Sequence, residues 1–144
     1  MGFILKICDQ KYSNTVRSNA VLAISLLTYN DKLFDEIIAW GVIDLIMELC
    51  QDQNQDIVVQ QFSTLALVHF ALNERSLNII IEKGVLDLFD TFGSNKSNTT
   101  NEIISTNISW IFVALCKSGI TGNRMLVQGI TRDMFLVSCN PDYQ

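Results

Sequence analysis

The residues able to do chemistry are few and scattered. His69 is the only histidine in 144 residues, so neither a two-imidazole metal site nor a Ser-His-Asp arrangement with a spare base can be assembled. Among apolar neighbours it reads as a packed histidine with one satisfied ring nitrogen. Cys116 could pair with it as nucleophile and base, but the two fall in different predicted helices and no third orienting group accompanies them. The four cysteines, Cys8, Cys50, Cys116 and Cys139, lie far apart without a C-x-x-C pair. They read as buried small hydrophobes of a reducing compartment rather than a disulfide framework. Asp52-Gln53-Asn54-Gln55-Asp56 begins like a calcium loop, yet Ile57 replaces the required glycine and Ser63 stands where a bidentate glutamate is needed. The stretch is better read as a helix connector ending in a cap. Glycosylation-type triplets begin at Asn95, Asn98 and Asn107, the last inside a predicted helix, and Gly119–Gly122 is a connector rather than a phosphate loop. The expectation is a protein that is not an enzyme, with no cofactor and no metal.

Composition narrows the remaining classes. Hydrophobic residues make up 49% and charged residues 17%, which favours a buried-rich globular chain over disorder. The net charge is −5 and no Lys/Arg cluster exceeds two residues, the wrong footprint for a nucleic-acid groove or an anionic membrane surface. The longest nearly unbroken apolar stretch, Ala20–Leu27, falls far short of the ~20 residues of a membrane span. The start carries no cationic leader, and Lys6 stands where a myristoylation motif wants Ser or Thr. A cytoplasmic location is expected, with the nucleus as the other compartment in keeping.

What positions any functional surface is a repeat. Gly41, Gly84 and Gly129 lie 43 and then 45 residues apart. Each follows an apolar pair and precedes a β-branched residue: Ile37-Ile38 and Val42, Ile80-Ile81 and Val85, Met125-Leu126 and Ile130. Twenty-five residues before each glycine stand Val16, Val59 and Ile104. The same offsets from these give Ala23-Ile24-Leu27, Ala66-Leu67-Phe70 and Ile111-Phe112-Leu115. Shared phase over this length marks a repeat architecture. Within each unit the apolar spacing is helical, with Val16, Ala20, Ala23, Ile24 and Leu27 on one face of the first long helix. Ser13 or Asn14, then Asp56 and Asn101, supply N-caps, and each glycine permits a sharp turn between two short helices. The chain is therefore expected to be all-α, with one long and two shorter helices per unit.

Residues Asn30–Ile46 followed by Asp56–Ala71, matched by Asn73–Phe89 followed by Glu102–Cys116, resemble the armadillo-repeat family. The resemblance implies a right-handed α-solenoid forming a single domain over 1–144. Its divisions would be a partial repeat 1–28, full repeats 31–72 and 74–118, and a partial repeat 122–140. It also implies that the long third helices line a concave groove that binds another protein or a peptide. In the importin-alpha type, groove tryptophans and asparagines grip a basic peptide. Those positions fall here on Leu22, Leu65 and Trp110, and on Leu26, His69 and Ala114. Only Trp110 matches, which weakens the nuclear-transport adaptor alternative. The beta-catenin type, with a basic groove, fits no better. The expected partner surface is an apolar row of Leu22, Leu65 and Trp110 rimmed by Ser18, Gln61, His69 and Thr106. A second alternative is an assembly subunit that self-associates through its apolar ends, Phe3–Ile7 and Met134–Val137, since solenoid ends normally carry a polar outer face.

Overall fold

The computed structural model describes residues 6–9, 11–52, 54–93 and 101–118, and these form seven helices without a strand. They are α1 (Asn14–Leu27), α2 (Asp31–Ala39), α3 (Val42–Gln51), α4 (Ile57–Leu72), α5 (Glu74–Glu82), α6 (Asp87–Gly93) and α7 (Glu102–Lys117). The helices start where short polar side chains can occupy free backbone N–H groups. Ser13 caps α1, Asn30 caps α2, Asp56 caps α4, Asn73 caps α5 and Asn101 caps α7. Asn14 lies inside the first turn of α1, so the cap there is Ser13 alone.

Two glycines make the remaining turns. Gly41 has φ +72° and Gly84 φ +85°, left-handed conformations that cost a Cβ-bearing residue about 1–2 kcal/mol. At Gly84 the helix end is closed by Val85 N–H donating to the Ile80 carbonyl (3.0 Å) and Gly84 N–H donating to that of Ile81 (3.1 Å). After Gly41 the next helix begins at once with Val42; after Gly84 a further turn intervenes and α6 begins at Asp87. Gly129 lies outside the described residues, as do both apolar ends apart from Lys6 and Ile7.

The long helices stack side by side, α4 between α1 and α7, while α3 and α5 pack against α4 and α6 bridges α3 and α7. The core follows from that arrangement. Ile24 of α1, Leu67 and Phe70 of α4, and Ile111 and Leu115 of α7 are fully buried. Phe34 meets Phe70 at 5.8 Å between ring centres, and Phe89 meets Phe112 edge-on at 5.6 Å. Each such side chain contributes roughly 1.5–3 kcal/mol through burial.

Polar side chains repeat one contact and stitch neighbours together. Arg17 Nε donates to the Cys8 carbonyl at 3.0 Å, and Gln60 Nε2 to the Asp52 carbonyl at 2.9 Å. Both thus tie the start of a long helix to the end of the segment before it. Between units, Asn14 reaches Asp56 across 42 residues, Arg75 reaches Asp31 and Asp35 across 44 and 40, and Asn107 reaches Thr64 across 43. Such links couple elements that are neighbours in the stack and remote in sequence.

Val16 and Cys116 depart from the burial their spacing predicts. Val16 is 42% exposed, although its counterparts Val59 and Ile104 are buried. Those two sit on helices laid against a preceding long helix, and no described long helix precedes α1. Cys116 is exposed, whereas Cys8 and Cys50 are buried as expected. Thr28 and Ala71 hold the same register on α1 and α4, and no described long helix follows α7 to cover Cys116. Cys139 lies outside the described residues.

Candidate functional site

The residues of interest lie on one flank of the three long helices. The hydrogen bonds between neighbouring helices set their register. Asn107 Nδ2 donates to the Gln61 carbonyl at 3.2 Å and to Thr64 Oγ1 at 3.0 Å, so that level of α7 faces that level of α4. Leu65 and Trp110 each follow one turn later. On the other side, His69 meets Ser25 and Thr28, so Leu65 and Leu22 each lie one turn before that contact. Leu22, Leu65 and Trp110 accordingly occupy matching levels of α1, α4 and α7. Leu22 and Leu65 are half-buried and Trp110 is 53% exposed.

The polar set is less uniform than the spacing suggests. Gln61 and His69 are half-buried and Thr106 is exposed. Ser18 is a correction. It is buried, and its hydroxyl donates to the Thr15 carbonyl at 3.1 Å, so it belongs to the α1 packing face and not to a rim. A serine satisfies its hydroxyl within its own helix, which lets it sit inside without a partner from elsewhere.

The same flank carries apolar residues that spacing did not single out as a surface. Leu26 is 59% exposed, Tyr29 69%, Leu72 60% and Ile103 54%. Leu26 and His69 share the register given above, and Tyr29 and Leu72 could have been picked out by extending the same 43-residue offset to the helix ends. The face is also poor in charge. The whole of α4 contains no Asp, Glu, Lys or Arg, and Arg17 of α1 is buried.

His69 is the best-defined polar group of the face. Its Nδ1 lies 3.0 Å from the Ser25 carbonyl and 3.0 Å from Thr28 Oγ1, and its ring packs on Tyr29 at 4.0 Å between centres. Thr28 donates its hydroxyl proton to the same Ser25 carbonyl at 2.6 Å. A carbonyl only accepts, so the Ser25 contact is a hydrogen bond when Nδ1 carries the proton, and Thr28 Oγ1 is then a second acceptor for it. Burial pushes His69 below its ordinary value, opposed by the Ser25 hydrogen bond, which favours the charged form. The ring therefore contacts a carbonyl, a hydroxyl and a phenol ring, none of them a carboxylate. Among the described residues no group of three His, Cys, Asp or Glu side chains could hold a metal ion. No described helix is long and apolar enough to cross a membrane.

No family model, no curated protein and no solved structure matches this chain.

Proposed function

We propose that the chain is a non-catalytic protein–protein interaction module built from armadillo-like three-helix repeats, holding a partner helix or peptide against its stacked long helices. The observation that carries this reading is the set of exposed apolar side chains on this flank, Leu26 of α1, Tyr29 just past it, Leu72 of α4 and Trp110 of α7, each more than half in solvent. Large apolar side chains exposed together on one face mark interaction surfaces more often than chance. Aromatic residues such as Trp110 carry a disproportionate share of binding energy where they occur at interfaces. The rigid stack requires little ordering on binding, which preserves affinity. The repeat offsets of 43 and 45 residues and the inter-unit hydrogen bonds support the armadillo-like reading of the helices.

The test is site-directed photocrosslinking. A photoreactive residue at position 110 is compared with one at Asp35, which is exposed on α2. A protein crosslinked from 110 and not from 35, and lost in a folded Leu65→Asp variant, supports the reading. Equal capture from both positions, or none dependent on Leu65, overturns it.

A further inference from the structure

The geometry of His69 specifies more about the occupant of this face than apolarity alone, and the inference rests on the docking reading just given. With Nδ1–H committed to the Ser25 carbonyl, the neutral ring leaves a lone pair on Nε2 and no proton there. His69 Nε2 makes no hydrogen bond among the described residues. It is also absent from the buried polar atoms that lack a partner, which are Arg17 Nη2 and Ser25 Oγ. The nitrogen is therefore an open acceptor at the surface. Tyr29, just past the end of α1, packs on the ring, Leu65 and Leu72 lie one turn to either side of His69 on α4, and Leu26 of α1 holds the register equivalent to His69. An apolar partner that covered this patch without offering a proton would strand the acceptor away from water, an unfavourable outcome.

We propose that the face takes an uncharged apolar protein segment that brings one N–H or O–H donor onto His69 Nε2, and that acidification releases it. Protonation turns Nε2 from acceptor into donor, so a segment presenting its own donor there loses the bond and meets a like proton. An anionic ligand would require the opposite, the imidazolium. Tyr29 is the titratable group in contact with the ring, and α4 has no other. The ionisable groups on the helices packed against α4 are Arg17 on α1, Asp44, Glu48 and Cys50 on α3, Glu74, Arg75 and Glu82 on α5, and Glu102, Cys116 and Lys117 on α7, and among the described residues none of them hydrogen-bonds His69.

Two measurements on the full chain test this. Nitrogen-15 spectra of the imidazole at pH 7.5 report the tautomer directly. The expected result is a protonated Nδ1 and a bare Nε2; a protonated Nε2 overturns the proposal. The second uses phage-displayed 16-residue helical peptides panned at pH 7.5, from which synthetic binders lacking His, Asp and Glu are chosen. Their affinity for the wild type is expected to fall several-fold between pH 7.5 and 5, as protonation of the ring removes one net hydrogen bond. His69→Gln, whose side-chain carbonyl accepts at either pH, is expected to hold its affinity within about twofold, and His69→Phe to bind weakly at both. Folding of each variant is checked by circular dichroism at both pH values. Peptides that need Leu65 and Trp110 but ignore pH and the His69→Phe change overturn this inference alone. Peptides that bind folded Leu65→Asp and Trp110→Ala variants as well as wild type overturn the docking face itself.

Discussion

Asn107 offers the most discriminating test of how the long helices are joined. It is buried at 7% exposure on α7, and its amide nitrogen donates to the Gln61 carbonyl and to Thr64 Oγ1 on α4. Replacing it with alanine removes both bonds, each worth about 0.5–1.5 kcal/mol net. Neither acceptor is stranded, because Thr64 Oγ1 still donates within its own helix, to the Gln60 and Gln61 carbonyls. Alanine also gains roughly 0.6 kcal/mol of helix propensity over asparagine. The expected net loss for Asn107→Ala is therefore about 1–2 kcal/mol. Asn107→Asp is different in kind, since it aims a carboxylate at a carbonyl oxygen inside the stack. It should cost about 1–3 kcal/mol more than alanine at pH 7.5. Urea unfolding followed by circular dichroism reads both. With a slope of about 2 kcal/mol per molar, the alanine variant should move the midpoint down by roughly 0.5–1 M. A Thr64→Val cycle should return a coupling of about 0.5–1.5 kcal/mol. An aspartate variant no worse than alanine, or an alanine variant as stable as wild type, would refute the claim that the amide nitrogen bridges the two helices.

Three further outcomes follow from the geometry. Gly41→Ala and Gly84→Ala should each lose about 1–2 kcal/mol from the positive φ, measured by urea midpoint. Gly84→Ala should lose more, because a Cβ there would stand 3.0 Å from Asp87 Oδ2, and Asp87→Ala should remove the excess. His69 sits below its ordinary 6.5, so the unfolded chain binds a proton that the native chain refuses in the window beneath that value. Its contribution to stability is complete above pH 6.5 and is lost as pH falls through the lowered native value; a His69→Gln variant whose midpoint shows the same acid-side slope would contradict this. In a Cys139→Ser background, alkylation should label Cys116 quickly and Cys8 and Cys50 only on unfolding, with burial pushing the Cys50 thiol up as well. Mass spectrometry of the labelled peptides decides it.

The helices themselves were legible in the sequence because their signals are local. A short polar side chain at Asn30, Asp56, Asn73 or Asn101 starts a helix by bonding N–H groups two or three residues away. A glycine at 41 or 84 permits a turn that no other residue makes cheaply. Apolar spacing then fixes which face each helix buries, and Ile24, Leu67 and Ile111 are buried as their spacing indicates. The delay of α6 to Asp87 was not legible, because Val85 has the same local character as Val42 and the extra turn is closed by hydrogen bonds back to α5.

The face was only partly readable, since exposure depends on which neighbour covers a residue and not on its own spacing. Val16 and Val59 hold the same register and the same side chain, yet one is exposed and the other buried. Ser18 reads as a rim residue by position and lies inside because its hydroxyl is satisfied within α1. Most of all, the partners of His69 Nδ1 are a carbonyl 44 residues away and a hydroxyl 41 residues away. Local sequence dictates the helices, their caps and their buried stripes through interactions a few residues long. The stacking of α1 on α4 decides which nitrogen of the single histidine faces outward, because only there do Ser25, Thr28 and His69 come within hydrogen-bond reach.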